Sequence, residues 1–300
     1  MFFKNLKIYR LGAFDLSAAA LSEALSKFPY QEGQAVESGT MGWVDPCSHS
    51  SHGVVHALDG QYLLTLRVEK KLLPTAVVNK HAKQKAKEIE EQQGYKPGRK
   101  QMKDIKERII DELLPKAFSV PRDTNVWLDT RNKWLVVETA SSAKADEVMG
   151  MLSKAIDPFP VESLHLKTYP AAVMTDWLAT DEPPEVFSID QETEMRSATE
   201  EKATVKYVRQ SVDASDVMRH IQAGKRVTRL ALTWNSRISF VITDNLDIKR
   251  VAPLDVLKKE SDSASNAEER FDGEFTLMTG ELSKVIAELV AACGGEHDDA

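Results

Sequence analysis

Cysteine is nearly absent from this 300-residue chain: Cys47 and Cys293 are the only two, far apart and in unlike contexts. No disulfide framework is expected, which fits a reducing cytoplasm. Long apolar runs are missing too. No stretch approaches the roughly 20 residues of a membrane-spanning helix. The opening residues, Met1-Phe2-Phe3-Lys4-Asn5-Leu6-Lys7, place lysines where a signal peptide needs its apolar core. A soluble, cytoplasmic protein with no membrane partner is expected. Net positive charge is also lacking, with 39 Lys and Arg against 46 Asp and Glu, a balance of −7. That excludes a protein coated in positive charge. It does not exclude nucleic-acid binding, because phosphate contact depends on local rather than total charge.

Catalytic signatures are equally scarce. The sequence has no G-x-S-x-G elbow and no H-E-x-x-H, and Gly224-Lys225 lacks the upstream glycine spacing of a phosphate-binding loop. Cys47-x-His49-x2-His52-x3-His56 holds four metal-ligand residue types, but the spacing fits no zinc pattern and Ser and Gly fill the gaps. Asp244 and Asp247 sit in an expected hairpin turn, where turn-forming is the plainer role and a metal-dependent nuclease site the sharper one. No enzyme, metal or cofactor is expected.

What the chain does have is a localised basic stretch. From Arg67 to Lys116 there are fourteen Lys and Arg against eight Asp and Glu, a local balance of +6. From Ser261 onward ten acidic residues face only Arg270 and Lys284. Within the basic stretch two helical patterns flank Gly94-Tyr95-Lys96-Pro97-Gly98, a cluster of turn formers. Val78, Ala82, Ala86 and Ile89 share one helical face. Met102, Ile105, Ile109 and Leu113 share another, with Ile110 and Leu114 widening it. Lys80, Lys83 and Lys87 form a stripe on the first helix, and Lys96, Arg99, Lys100, Lys103 and Lys106 continue the charge into the second. Such a strip suits phosphate contact without base reading. The plainer reading is a solvated hairpin whose lysines keep it soluble, and on pattern alone both stay open. Phe118, flanked by Lys116 and Arg122, is either an exposed wedge for bases or a buried anchor for the hairpin.

Around that stretch the pattern reads as α+β, with antiparallel sheets and packed helices. Residues 3–12 form a strand with one wet face, Leu6 and Ile8 opposing Lys7 and Tyr9, and Asp15 or Ser17 caps a following helix. Residues 41–60 read as loop, with an Asp59-Gly60 turn leading into a strand over 61–68. Strands at 125–128 and 134–138, a helix through Ile156, a strand at 163–167 and a closing Pro170 complete the first unit. In the second half a strand at 203–208 and a helix at 215–223 lead to the clearest strand pair. Leu230, Leu232 and Trp234 match Ile238, Phe240 and Ile242 across Asn235-Ser236, with Lys225, Arg226 and Arg229 beside them. An acidic loop at 261–267, a short strand at 275–278 and a helix at 281–293 follow. The expected organisation is a central domain (1–73 and 116–170), an inserted helical hairpin (74–115) and a second α+β domain (171–300).

Several stretches together resemble a known family. Phe3-Lys4-Asn5-Leu6 with Tyr9-Arg10-Leu11, Met41-Gly42-Trp43-Val44, Leu113-Leu114-Pro115-Lys116-Ala117-Phe118-Ser119, the run from His220 to Trp234, and Phe271 to Leu282 are similar, in order, to the bacterial recombination-associated RdgC family. The resemblance implies a non-enzymatic, nucleoid-associated protein that binds double- and single-stranded DNA with little sequence preference. It implies antagonism of the RecA recombinase by competition for DNA. It also implies a curved subunit with centre, base and tip, two such subunits closing a homodimeric ring around DNA through tip–tip and base–base contacts. The helical hairpin would be the tip. Phe118 matches the family's aromatic on a finger beside the hole, which favours the exposed wedge. Arg209-Gln210 matches a basic residue and Gln near the ring lining, with Arg in place of Lys. The turn Gly94-Tyr95-Lys96-Pro97-Gly98 departs from the family's pattern. The residues expected to meet DNA are Lys80, Lys83, Lys87, Lys96, Arg99, Lys100, Lys116, Phe118, Arg209, Gln210, Lys225, Arg226 and Arg229. The competing expectation is a scaffold whose amphipathic hairpin docks a protein partner.

Overall fold

Strand β1 (Asn5–Leu11) is the seam of the molecule, because each of its faces belongs to a different hydrophobic core. The computed structural model describes residues 2–34, 37–47, 53–197, 203–210, 213–260 and 266–297. After β1 come helix α1 (Ala18–Leu25) and strands β2 (Gly39–Val44), β3 (His56–Leu58) and β4 (Gln61–Lys71). Helices α2 (Thr75–Gln93) and α3 (Arg99–Leu113) lie between β4 and β5 (Ser119–Asp129), followed by β6 (Trp134–Glu138), α4 (Ser142–Ala155) and β7 (Val161–Ser163). The second half runs α5 (Pro170–Thr180), β8 (Phe187–Ser197), β9 (Thr204–Val208), α6 (Ala214–Gln222) and β10 (Lys225–Trp234). It ends with β11 (Ile238–Thr243), β12 (Ile248–Pro253), α7 (Asp255–Glu260) and α8 (Ala267–Ala292). The class is α+β.

The strands form one antiparallel sheet, in the order β2-β4-β5-β6-β1-β12-β11-β10-β8-β9, with β3 added to β4 and β7 to β1. One continuous sheet thus replaces the separate sheets expected. Its halves bury opposite faces. Leu64, Leu66, Val126, Leu128, Leu135 and Val137 pack against α1 and α4, whose Leu21, Leu25, Val148 and Leu152 recur at helical spacing. Leu230, Leu232, Trp234, Phe240 and Ile242 pack on the other side against α5 and α8. Strand β1 serves both, with Leu6 and Ile8 in the second core and Tyr9 and Leu11 in the first. The expectation of one wet face on β1 therefore fails, because helices cover parts of both sides, and its cations Lys7 and Arg10 are engaged in ion pairs with Asp247 and Glu296.

Several elements depart from the sequence reading for identifiable reasons. Residues 41–44 are strand, not loop: Trp43 sits opposite Leu66 and is buried, and Gly42 lets the Pro29–Tyr30 backbone approach so closely that an added Cβ would lie 2.3 Å from the Tyr30 nitrogen. Pro170 begins α5 rather than closing a unit, because the first helical turn has no use for its missing N–H. Residues 275–278 are not a strand; α8 is one helix of 26 residues, capped by Asn266. Gly273 and Gly280 interrupt its pattern, yet burial of Phe275, Met278, Leu282, Ile286 and Leu289 outweighs the roughly 1 kcal/mol that each interior glycine costs. The strand expected at 163–167 is shorter and earlier, as β7. The acidic loop at 261–267 lies mostly outside the described residues.

Other readings match the structure. Ser17 caps α1, accepting from the Ala20 N–H at 3.2 Å. Asp59 and Gly60 both have positive φ, as do Asn235 and Ser236, the backbone that two-residue hairpins require. Across the second turn Leu230, Leu232 and Trp234 face Ile242, Phe240 and Ile238.

Candidate nucleic-acid interface

Helices α2 and α3 pack against each other through Val78, Ala82, Ile105 and Ile109, with Leu73, Ile89, Met102 and Leu113 partly covered around them. This small core is separate from the two that hold the sheet. At 100° per residue, Lys80, Lys83 and Lys87 fall on the side of α2 away from that core, as do Arg99, Lys100 and Lys103 on α3. All are exposed, as are Lys96 in the connecting turn and Lys116 after α3. Lys87 and Lys103 lie near Glu91 and Glu107 at 4.0 and 3.6 Å. Among the described residues, Lys80, Lys83, Lys96, Arg99, Lys100 and Lys116 have no carboxylate partner. Ile110 does not widen the packed face; it is half-exposed, because two helices alone cover too little of it.

Phe118 stands where the pair joins the sheet. Its carbonyl accepts the Leu72 N–H at 2.7 Å, extending the β4–β5 ladder one step past Lys71 and Ser119. The backbone is thus fixed while the ring is 84% exposed. A buried anchor would be covered, so that reading is excluded. Lys116 and Arg122 flank the ring in sequence and are both exposed.

The remaining cations belong to the second half of the sheet. Four strands, β6, β1, β12 and β11, separate β5 from β10, so these cations are not gathered with the helical pair. Arg229 opposes Glu194 on β8 and Thr243 on β11, and lines a cleft of about 270 Å³ with Arg196, Lys206, Asp247 and Lys249. Its Nε is buried without a hydrogen-bond partner among the described residues. Glu194 is the hub: Lys206 Nζ lies 2.9 Å from Oε2 and Arg196 Nη2 3.0 Å from Oε1. Burial opposes ionisation of Glu194, but the Lys206 hydrogen bond and the charges of Lys206, Arg196 and Arg229 outweigh it and hold the carboxyl below its usual range. Arg226 opposes Arg196 and Lys225 opposes Ser197 at the start of β10. Arg209 and Gln210 are exposed just past β9, Arg209 with φ +55° and the Gln210 N–H donating to the Gln191 carbonyl at 3.3 Å.

Sequence reading missed Lys7, Arg196, Lys206 and Lys249 in this part of the sheet, along with Glu194. Strands β8 and β12 carry three of the five, and neither had a strand signal: Asp-Gln-Glu-Thr-Glu is poor in β-formers. The usable clue was the alternation of Glu192, Glu194 and Arg196 with Thr193 and Met195, the last two buried.

Of the four candidate metal ligands, only Cys47 and His56 fall within the described residues; His49 and His52 lie outside them. The Cys47 N–H donates to Asp45 at 2.7 Å. His56 is buried, packs edge-on against Phe271 and Phe275, and places Nε2 3.2 Å from Asp272 on α8. No group of three His, Cys, Asp or Glu among the described residues is arranged to hold a metal ion. Asp247, the other nuclease candidate, lies 2.9 Å from Lys7 and 3.8 Å from Lys249. No helix among the described residues is long and apolar enough to cross a membrane.

Known proteins align with the chain over its whole length. The matching family model, described as "Putative exonuclease, RdgC", covers residues 1–296. A recombination-associated protein RdgC from Bordetella parapertussis is 59% identical over 298 residues, spanning 99% of each chain. Proteins of that name from Cupriavidus necator and Paraburkholderia phymatum are 54% identical over 299 residues and 50% over 301, covering at least 98% of either chain. With identity this high across nearly every residue, the chain belongs to the RdgC family of recombination-associated proteins.

Proposed function

We propose that the protein binds double- and single-stranded DNA without sequence preference, as a homodimeric ring, and limits recombination by competing with the RecA recombinase for DNA. The observation that carries this reading is the set of exposed cations on α2 and α3, free of carboxylate partners, next to the exposed Phe118 ring. Unpaired cations neutralise phosphate without first breaking an ion pair, and an exposed aromatic beside them offers a base something to stack on. In this reading the helical pair is a tip inserted between adjacent strands. A two-fold axis doubles the positive lining, while the acidic carboxy-terminal segment keeps DNA from outer faces. Nucleoid association follows from the binding.

The test is a titration of duplex DNA at two salt concentrations, with subunit stoichiometry and a comparison of linear with closed-circular DNA. A tight, steeply salt-dependent complex of two subunits is expected. An absent or salt-insensitive complex would sink the DNA reading and favour the scaffold alternative, for which half-exposed Val77 and Ile110 on the helical pair are the supporting observation. The description of the family model suggests an exonuclease, whereas we propose a non-enzymatic protein, supported by the engagement of Asp247 with Lys7 and Lys249. Nucleotide release from end-labelled linear DNA with Mg²⁺ or Mn²⁺ would overturn that part.

A further inference from the structure

We propose that a cleft beside β1 holds one unpaired base of a DNA strand, stacked on Tyr169 and met along its edge by Asp244 and Asn245. This rests on the DNA-binding reading above and deepens it, naming a base-holding site and the strand form that can use it.

The cleft follows from the way β1 is paired. Strand β6 runs along one edge of it from Leu6 to Arg10, while the other edge is shared by β12 at Asn5 and Leu6 and by β7 from Tyr9 to Leu11. Between them, Lys7 and Ile8 have no ladder partner on the shared edge among the described residues. One of the two therefore turns its N–H and C=O toward a gap in the sheet. The gap opens into a cavity of about 740 Å³, walled on one side by the β11–β12 turn at 244–247 and on the other by residues of the 163–170 segment. A cavity of that size suits a small flat ligand. The second wall is held in place by the carboxy-terminal segment: the Lys167 N–H donates to the Gly295 carbonyl at 3.0 Å, and the His297 N–H to the His165 carbonyl at 2.9 Å.

The side chains around the cavity divide by what they already do. Lys7 and Asp247 satisfy each other at 2.9 Å. Asp244, Asn245 and Tyr169 are exposed, and their side chains have no hydrogen bond or ion pair among the described residues. The Tyr169 ring is 82% exposed, yet its carbonyl accepts the Ala172 and Val173 N–H groups at 2.9 and 3.2 Å, which fixes its backbone at the start of α5. A free carboxylate repels phosphate, so an anion is a poor occupant of the first wall. It accepts from N–H groups instead, and every base presents at least one on its pairing edge. The Asn245 amide both donates and accepts, so the wall tolerates any base. The tyrosine ring supplies the stacking face. Asp244, Asn245 and Asp247 also line the smaller cleft in which the Arg229 Nε lacks a hydrogen bond among the described residues. A phosphate next to the held base would have that guanidinium in the adjoining cleft. Duplex bases are stacked and paired, so only an unpaired base enters without first being unstacked.

The test measures the full-length protein, Tyr169→Ala and Asp244→Ala by fluorescence anisotropy, on an oligothymidylate of about 20 nucleotides and on an abasic oligomer of equal length. The two ligands carry the same phosphates, so their difference reports the bases. Tyr169→Ala should weaken the oligothymidylate by about fivefold or more and leave the abasic oligomer unchanged. Tyr169→Trp should retain affinity, with indole fluorescence quenched by the oligothymidylate and not by the abasic oligomer. Asp244→Ala should weaken the oligothymidylate at about 0.3 M salt, where the loss of one negative charge is largely screened. Tighter binding there would set phosphate against that wall and overturn the inference. Equal losses on both ligands in Tyr169→Ala would overturn it too. Both alanine variants should keep the wild-type thermal transition, since neither side chain is buried in the fold. Wild-type affinity for the oligothymidylate in both variants, with duplex still bound, would overturn this inference and leave the general one standing. If the unmodified protein binds neither oligonucleotide nor duplex, both readings fall.

Discussion

The helical pair and the open sheet face both carry many cations, but they hold them differently. On α2 and α3, Lys80, Lys83 and Lys100 project into solvent with no carboxylate partner among the described residues, while Lys85, Lys87 and Lys103 meet Glu88, Glu91 and Glu107 along the same helices. On the sheet, Lys7 and Lys249 flank Asp247, Lys206 and Arg196 share Glu194, and Arg250 pairs with Glu192. Positive residues alone thus give a poor map of where a phosphate will land. A cation already paired must exchange one anion for another, and the net gain shrinks accordingly. The helical pair is equipped to attract; the sheet face is equipped to stay folded, with Arg229 the cation there whose Nε lacks a hydrogen bond among the described residues.

The strongest way to break this comparison is to strip both regions in parallel. Replacing Lys80, Lys83, Lys96 and Lys100 together by Gln should lower the slope of log affinity against log salt by up to about 3–4, at about 0.9 per lost phosphate contact. Replacing Lys206 and Arg196 by Gln should change it by less than about 1. Equal effects in filter binding would erase the distinction. Next in size, Phe118→Ala should cost about 1–3 kcal/mol of DNA affinity and leave the thermal transition in place, because the ring packs on little. A drop in melting temperature of several degrees would make it structural after all.

Glu194 sharpens the contrast by acting with two signs. Glu194→Gln should destabilise the fold at neutral pH by about 1 kcal/mol, discounted because both partner cations are solvent-exposed. It should also release Lys206 and Arg196 and so tighten DNA binding slightly. The Glu194 carboxyl is depressed in the fold, so its stabilisation is complete above its ordinary value of 4.5 and fades as pH falls through the lower folded value. Acid unfolding profiles of the two proteins should therefore converge only once the pH has fallen below that depressed folded value. The smallest effect is expected at Lys103→Gln, which removes an exposed contact with Glu107, one turn away. That substitution should shift stability by no more than about 0.5 kcal/mol.

Legibility followed chemistry. Both helices of the pair were readable because their apolar residues recur at helical spacing and glycines mark the turn. The β10–β11 register was readable residue by residue, since matched apolar alternation leaves one pairing that buries both sides. Strand β8 was invisible because its acidic residues disfavour strands locally, and only the ladder with β10 makes it one. Helix α8 was cut in two because Gly280 reads as a stop when its packed neighbours are out of sight. The candidate site divided the same way. The cations of α2 and α3 were found by counting, whereas the Glu194 cluster gathers residues from three separated strands that no local pattern links. Phe118 was undecided on its neighbours alone, and only its exposure in the fold excluded the buried role.

The double duty of β1 has a consequence for synthesis. Its pairing with β12 sets Leu6 opposite Ile248, so one edge of the first strand made must wait for almost the last. At roughly 5–20 residues per second, that wait on the ribosome is on the order of 10–50 s. Through it, the Leu6 and Ile8 side of β1 has no α8 to cover it, and its β12 edge is an open template for strand pairing. A nascent chain stalled before β12 would leave the ribosome with its sheet in two unjoined, aggregation-prone pieces. A chaperone that shields the amino-terminal strand should therefore raise yield more than one acting on the finished subunit.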